Sequence, residues 1–292
     1  MMTLRKLMIT LLVLSAVMIN LTGAALAQDD LGYEEYAVTL PGEISGTMVQ
    51  PSGDGPFPTV LMLHGFASAK DEVGNMYLNL AAELGARGIA SLRIDFRGWG
   101  ESGGGMENST VTGMVEDATT AYTYLTEQDF VKADAIGLLG FSLGGAVSLA
   151  SSGQNPDWYQ SLVIWSWGGN LAEEMSDSFT QEQLDAAAAE GQVTIDLGWR
   201  EVTLGAGFFD SLDDLDVESD FLNYSNSFMV VAGSEDFAGA YVDWFMANAQ
   251  GELKAAYLVE GGDHIYAVLT EDQTMANAVI STTANWFAMT LE

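Results

Sequence analysis

Ser142 stands apart from the other hydroxyl side chains of this 292-residue sequence by its surroundings. It lies in Gly140-Phe141-Ser142-Leu143-Gly144, between an apolar run at 135–139 and a helix pattern rich in small residues. Gly-x-Ser-x-Gly between a strand and a helix is the pattern of a nucleophile elbow. The reason is steric. So tight a turn forces the serine into strained backbone geometry and drives neighbouring side chains into adjacent elements, and glycines two residues to either side remove those clashes. The hydroxyl is then held above a sheet edge, at the positive amino end of the following helix. A purely structural turn is the competing reading.

A serine hydroxyl is a poor nucleophile until a base takes its proton. The sequence holds two imidazoles, His64 and His264. His264 sits in Gly261-Gly262-Asp263-His264, after a strand pattern and before the last helix, where the base of a Ser…Asp…His order belongs. His64 directly precedes Gly65-Phe66 and suits a buried, hydrogen-bonded role that shapes a donor loop. The base needs a carboxylate to fix its tautomer. Asp236, just past the apolar run that ends at Gly233, is the candidate, with Glu235 as the first alternative. Asp263 adjoins His264, and consecutive side chains usually diverge. Two backbone N–H groups are needed for the developing oxyanion. Leu143, after the nucleophile, supplies one, and Phe66 the other.

Composition narrows the field to this kind of chemistry. The absence of cysteine excludes disulfides, thiolate nucleophiles and Cys-held metals, and two histidines cannot build a three-histidine site. Carboxylate-rich metal sites remain open on this arithmetic, but no motif of the sequence points to a metal or a cofactor. With 41 acids against 9 bases and a formal charge of −32, nucleic acid is not an expected partner. The 48% hydrophobic content nevertheless points to a globular chain.

The elements that must position these residues alternate. Residues 33–40 and 43–49 flank Pro41-Gly42 as an opening hairpin. Apolar runs at 59–63, 89–96, 135–139, 162–165, 228–231 and 255–259 read as buried strands. Helical spacing appears after Met76, over 110–125, after Ser142 and over 272–289. Continuous apolar strands alternating with helices predict an α/β class: a mostly parallel sheet flanked by helices. Residues 171–225 break the rhythm with 14 acids and one base, Arg200, and read as an inserted acidic cap. Its aromatics, together with Trp165-Ser166-Trp167, are expected to line an apolar pocket. Such a cover disfavours polyanionic substrates.

Arg5 and Lys6, an apolar run to Leu21 and Ala25-Leu26-Ala27 form the charged, apolar, small-residue order of a secretory signal. Residues 1–27 are thus expected to be removed on export, and the run is short for a stable membrane anchor. The expected organisation is a signal at 1–27, a core at 28–170 and 226–292, and the cap at 171–225.

Three blocks carry a resemblance: His64-Gly65-Phe66, Asp95-Phe96-Arg97-Gly98-Trp99-Gly100-Glu101-Ser102, and Gly140 through Gly145. With Gly233-Ser234-Glu235-Asp236 and Gly262-Asp263-His264 they resemble the α/β-hydrolase superfamily. The pattern is most similar to bacterial cinnamoyl/feruloyl esterases and serine-aminopeptidase-like hydrolases. The resemblance implies an α/β-hydrolase fold and a small-molecule ester substrate. It also implies Ser142 as nucleophile, Asp236 and His264 as its partners, and Phe66 and Leu143 as oxyanion donors. Peptidase, thioesterase, acyltransferase or cofactor-free perhydrolase activity on the same residues is the alternative. The Asp95/Arg97 loop is expected to be structural, with an ion pair between the two residues pinning a Gly-rich turn.

Overall fold

The computed structural model describes residues 32–176 and 178–292. The export signal expected at 1–27 lies outside the described residues. An eight-stranded sheet organises the chain: β1 (Tyr33–Leu40), β2 (Ile44–Pro51), β3 (Phe57–Leu63), β4 (Ala90–Ile94), β5 (Val131–Phe141), β6 (Ser161–Trp165), β7 (Ser227–Gly233) and β8 (Lys254–Val259). Their spatial order is β1-β2-β4-β3-β5-β6-β7-β8. β1 pairs antiparallel with β2, and β2 antiparallel with β4. Every other neighbouring pair is parallel.

Parallel strands buried on both faces need apolar side chains throughout, which is why 60–63, 90–94 and 161–165 carry no alternation of exposure. One face packs against α1 (Met76–Gly85) and α9 (Thr274–Thr290) through Val60, Met62, Leu80, Val163 and Ile280. The opposite face packs through Leu61, Leu138 and Ile164 against α2 (Val111–Thr126), α3 (Leu143–Gln154) and α8 (Val242–Asn248). α2 starts cleanly because Thr110 accepts the Gly113 N–H at its amino end. Burying each large apolar side chain contributes roughly 1.5–3 kcal/mol, so the two faces together dominate the stability of the fold. No helix among the described residues is long and apolar enough to cross a membrane.

Strand phase settles one expectation against the sequence reading. Trp165 lies in register with Val163 on the α1/α9 face, fully buried, with Nε1 donating to Thr283 Oγ1 at 2.9 Å. It is a core residue and does not line a pocket at the strand ends. Trp167, two residues past the end of β6, packs instead on the α3 face.

Residues between β6 and β7 form α4 (Leu171–Ser176), α5 (Gln181–Glu190), a separate antiparallel hairpin at Gln192–Asp196 and Glu201–Gly205, α6 (Ala206–Asp210) and α7 (Val217–Phe221). The hairpin alternates buried Ile195, Val202 and Leu204 with exposed partners. Phe179 and Phe208 pack edge-on or tilted against Phe66, 6.0 and 5.8 Å between centroids. Phe221 and Tyr224 do not join them. Phe221 packs on Phe228 and Phe245, and Tyr224 donates to the Ser227 and Tyr159 carbonyls, both under the core. Trp199, at the hairpin tip, is 68% exposed.

Candidate active site

The carboxyl ends of β3, β5, β7 and β8 converge on one edge of the sheet, where ligands bind in open α/β folds. At the end of β5, Ser142 has φ 51 and ψ −123, outside the regions that L-residues favour. The flanking glycines hold it there. A Cβ on Gly140 would lie 2.1 Å from the Gly144 carbonyl oxygen, and one on Gly144 2.1 Å from that of Leu63. The Ser142 N–H donates to the Trp165 carbonyl at 2.8 Å, fastening the turn to β6.

His264 reaches across from the loop after β8, and its Nε2 lies 3.0 Å from Ser142 Oγ. Its Nδ1 lies 3.0 and 3.1 Å from the two carboxylate oxygens of Asp236, which stands beyond β7 with its side chain 3% exposed. A carboxylate only accepts, so Nδ1 carries the proton and the Nε2 lone pair faces the hydroxyl. Phe141 and Phe237 rings flank the imidazole at 5.2 and 5.7 Å. Glu235 is exposed, and Asp263 instead accepts the Ile265 and Ala267 N–H groups of its own turn. Neither touches His264.

Phe66 lies in the chain segment after β3 and Leu143 directly after Ser142, and no acceptor among the described residues takes either N–H. The Leu143 N–H is an unsatisfied donor at the first turn of α3, as helix geometry leaves it. Two groups that the sequence reading did not single out hold the loops around Ser142, the first the Phe66 loop and the second the His264 loop. Glu72, buried and with φ 60, accepts from the Gly65 N–H at 2.7 Å, Ser68 Oγ at 2.6 Å and the Val73 N–H at 2.8 Å. Burial pushes its carboxyl up, and these donors pull it back. One acid among 41 carries no signal of that role. Similarly, Tyr266 reaches both Ser166 and the Val231 carbonyl, and Ser166 Oγ donates to the His264 carbonyl at 2.9 Å. That chain of buried hydroxyls fixes the loop from which His264 projects.

His64 is 1% exposed, in contact with the Gly65 carbonyl through Nδ1 at 2.8 Å, and its Nε2 accepts the Phe96 N–H at 3.2 Å. It ties the β3 loop to the β4 loop, with both ring nitrogens engaged there. Burial, opposed by the Gly65 carbonyl and Asp95 and reinforced by Arg200 and Lys70, pulls its pKa down from 6.5 to about 4. The native state thus refuses a proton that the unfolded chain accepts below pH 6.5. Stability contributed by neutral His64 is complete above that pH and drains as pH falls toward 4, by about 3 kcal/mol in all. Urea unfolding of the wild type and of His64→Gln at pH 7 and pH 4 checks this. The wild type should lose about 3 kcal/mol more than the variant across that interval, every other titrating group being common to both.

The Asp95/Arg97 ion pair expected from sequence is not formed. Asp95 is buried and binds Lys70 through Nζ at 2.9 Å and through the backbone N–H at 2.7 Å, while accepting the Glu101 N–H. Arg97 turns the other way, to Asp117 and Glu116 of α2. The Gly-rich turn is pinned, but by Lys70. A Cβ on Gly100 would lie 2.2 Å from the Asp95 carboxyl carbon, so the turn closes directly over that group.

A sheet of this order, with its strand–turn–serine–helix junction and loops converging at the carboxyl edge, is the α/β-hydrolase fold. Within it, residues 54–189 match the family model described as serine aminopeptidase, S33. The structure is similar to that of Est1E from Butyrivibrio proteoclasticus with ferulic acid bound, at TM-score 0.71 and 18% identity over 87% of this chain and 98% of that one. In sequence it is 38% identical over 120 residues to 2,6-dihydropseudooxynicotine hydrolase of Paenarthrobacter nicotinovorans, covering 41% of this chain and 30% of that protein. It is 31% identical over 143 residues to esterase FrsA of Klebsiella pneumoniae (strain 342), covering 44% and 33%. The chain thus spans about a third of the length of these two relatives.

Proposed function

We propose that the chain is an exported serine hydrolase that cleaves carboxylic esters through an acyl-enzyme, with Ser142, His264 and Asp236 as the reacting and supporting groups. The observation that carries this reading is the continuous hydrogen-bonded chain from Asp236 through His264 to a strained Ser142, beside two N–H groups without acceptors. Ser142 Oγ attacks the ester carbonyl as its proton passes to His264 Nε2, and the carbonyl oxygen becomes an oxyanion received by the Phe66 and Leu143 N–H groups. The intermediate collapses by breaking the bond to the alcohol oxygen, which takes the proton from His264. Water then gives its proton to His264 and attacks the acyl-enzyme, and Ser142 leaves with that proton restored as the free acid departs. The esterase-named relatives favour an ester over other acyl substrates, and the ferulic acid bound to Est1E makes feruloyl and cinnamoyl esters the first acyl groups to try.

The match to a serine aminopeptidase model supports a second reading, cleavage of an aminoacyl bond by the same residues. A fluorophosphonate probe applied to the wild type and to Ser142→Ala tests what the two readings share. Only the wild type should be labelled. Labelling of both proteins, or of neither, overturns the mechanism. Methyl ferulate and p-nitrophenyl esters assayed beside aminoacyl anilides then separate ester from peptide cleavage.

A further inference from the structure

With 41 acids for 9 bases, an arginine that lacks a carboxylate partner is conspicuous in this chain. Among the described residues Arg87 pairs with Glu83, Arg93 with Asp71 and Glu35, and Arg97 with Asp117 and Glu116. Arg200 pairs with no described carboxylate, although it is the one base of the acidic segment 171–225. Its hydrogen bond runs from Nη1 to the Ala67 carbonyl at 2.8 Å. The guanidinium lies 6.0 Å from the ring centroid of Trp99 and 5.9 Å from that of Trp199. Trp99 is buried and anchored by its own bond from Nε1 to Ser109 Oγ at 2.8 Å, so one wall of this arrangement is rigid. Five N–H donors are available on a guanidinium, and Ala67 uses one. The remaining fork is permanently charged, partly exposed and shaped for a carboxylate.

Position gives this free fork a meaning. Ala67 directly follows Phe66, so covalent reach alone puts Nη1 within about 10 Å of the Phe66 N–H. The sheet order sets the direction. Running along the edge, the β4 loop with Trp99 and the β3 loop with Ala67 lie on one side of Ser142, and the β7 and β8 loops with Asp236 and His264 lie on the other. The departing alcohol oxygen has to face His264 to receive its proton, so a substrate group that reaches past the oxyanion to the β3 and β4 side belongs to the acyl part. There it meets Arg200.

We propose that Arg200 recognises a carboxylate carried on the acyl part of the substrate, so that the preferred ester is a hemiester of a dicarboxylic acid. The inference rests on the ester-cleaving reading above. A net charge of −32 repels anions in general, and a local cation between aromatic rings is what lets a single carboxylate dock. A second negative charge on the ligand finds no further base in this segment, which restricts the preference to one carboxylate.

The test compares kcat/KM for mono-p-nitrophenyl glutarate with that for p-nitrophenyl 5-methylhexanoate, in which an isopropyl group replaces the carboxylate. Their ratio within one protein preparation is insensitive to the fraction folded. Arg200→Gln should lower the ratio by about ten- to a hundredfold, chiefly through KM for the glutarate ester, and Arg200→Lys should restore part of it. Added salt, which screens the general repulsion in both proteins and the Arg200 attraction only in the wild type, should narrow the difference between the two ratios. If Arg200→Gln slows both esters equally, Arg200 is only a strut between the hairpin and Ala67, and this inference is overturned while ester cleavage stands. Cleavage of neither ester by the wild type would overturn the ester reading and this inference with it.

Discussion

Alanine at Ser142 is expected to lower turnover of an activated ester by about a millionfold, and alanine at His264 by nearly as much. The double variant should be no slower than either single one. The reason is that Ser142 Oγ and His264 Nε2, 3.0 Å apart, share one proton transfer, and removal of either partner leaves the other without a task. Independent contributions would multiply instead. A residual rate of about 10³–10⁴ over uncatalysed hydrolysis should survive in all three variants, because the Phe66 and Leu143 N–H groups are backbone and remain in place. Among the described residues, the hydroxyls nearest these loops are already engaged. Ser166, next to Trp165, already donates to the His264 carbonyl, and Ser68 to Glu72. Stopped-flow and long-incubation assays of p-nitrophenyl acetate hydrolysis by the three proteins measure these rates. A double variant slower than both single ones by the product of their factors would show that the two side chains do not act as a unit.

The parts of this arrangement legible in the sequence are those where physics leaves few choices. Parallel strands buried on both faces have to be apolar throughout, so the order of strands and helices follows from composition in short windows. Ser142 announces itself because a strained turn admits only glycine at 140 and 144. His264 follows nearly by elimination among two imidazoles, and Asp236 by its place just beyond a strand. What could not be read depends on partners distant in sequence. Asp95 choosing Lys70 over Arg97 is decided by how two loops fold over one another. Glu72 looks like any other surface acid until its loop closes around it. Ser166 and Tyr266 meet only when the β6 and β8 loops converge. The hairpin at 192–205 was within reach, since Val193 and Ile195 alternate with polar residues, but five-residue strands sit close to the length at which period two is ambiguous. The placement of Trp165 was also readable, because a residue in phase with Val163 must share its face.

Substitution of Asp236 by asparagine is expected to lower kcat by about 10⁴-fold while leaving the fold intact. Aspartate accepts from His264 Nδ1 through both oxygens, which forces the proton onto Nδ1 and leaves Nε2 free to accept from Ser142. An amide at the same place has the same shape but can turn its NH₂ toward Nδ1. The favoured tautomer then carries its proton on Nε2, pointed at a hydroxyl whose own proton it can no longer take. The imidazolium formed during attack also loses its counter-ion in a site where the carboxylate is 3% exposed and little water is present to replace it. Both effects act on the chemical step, so KM should move far less than kcat. Steady-state kinetics on a p-nitrophenyl ester, with circular dichroism to verify folding, reads the effect directly. Glu235→Gln is the matched comparison, since its exposed neighbouring carboxylate touches no part of His264 and its loss should leave turnover unchanged. A large loss in Glu235→Gln with little in Asp236→Asn would reverse the assignment of the orienting acid.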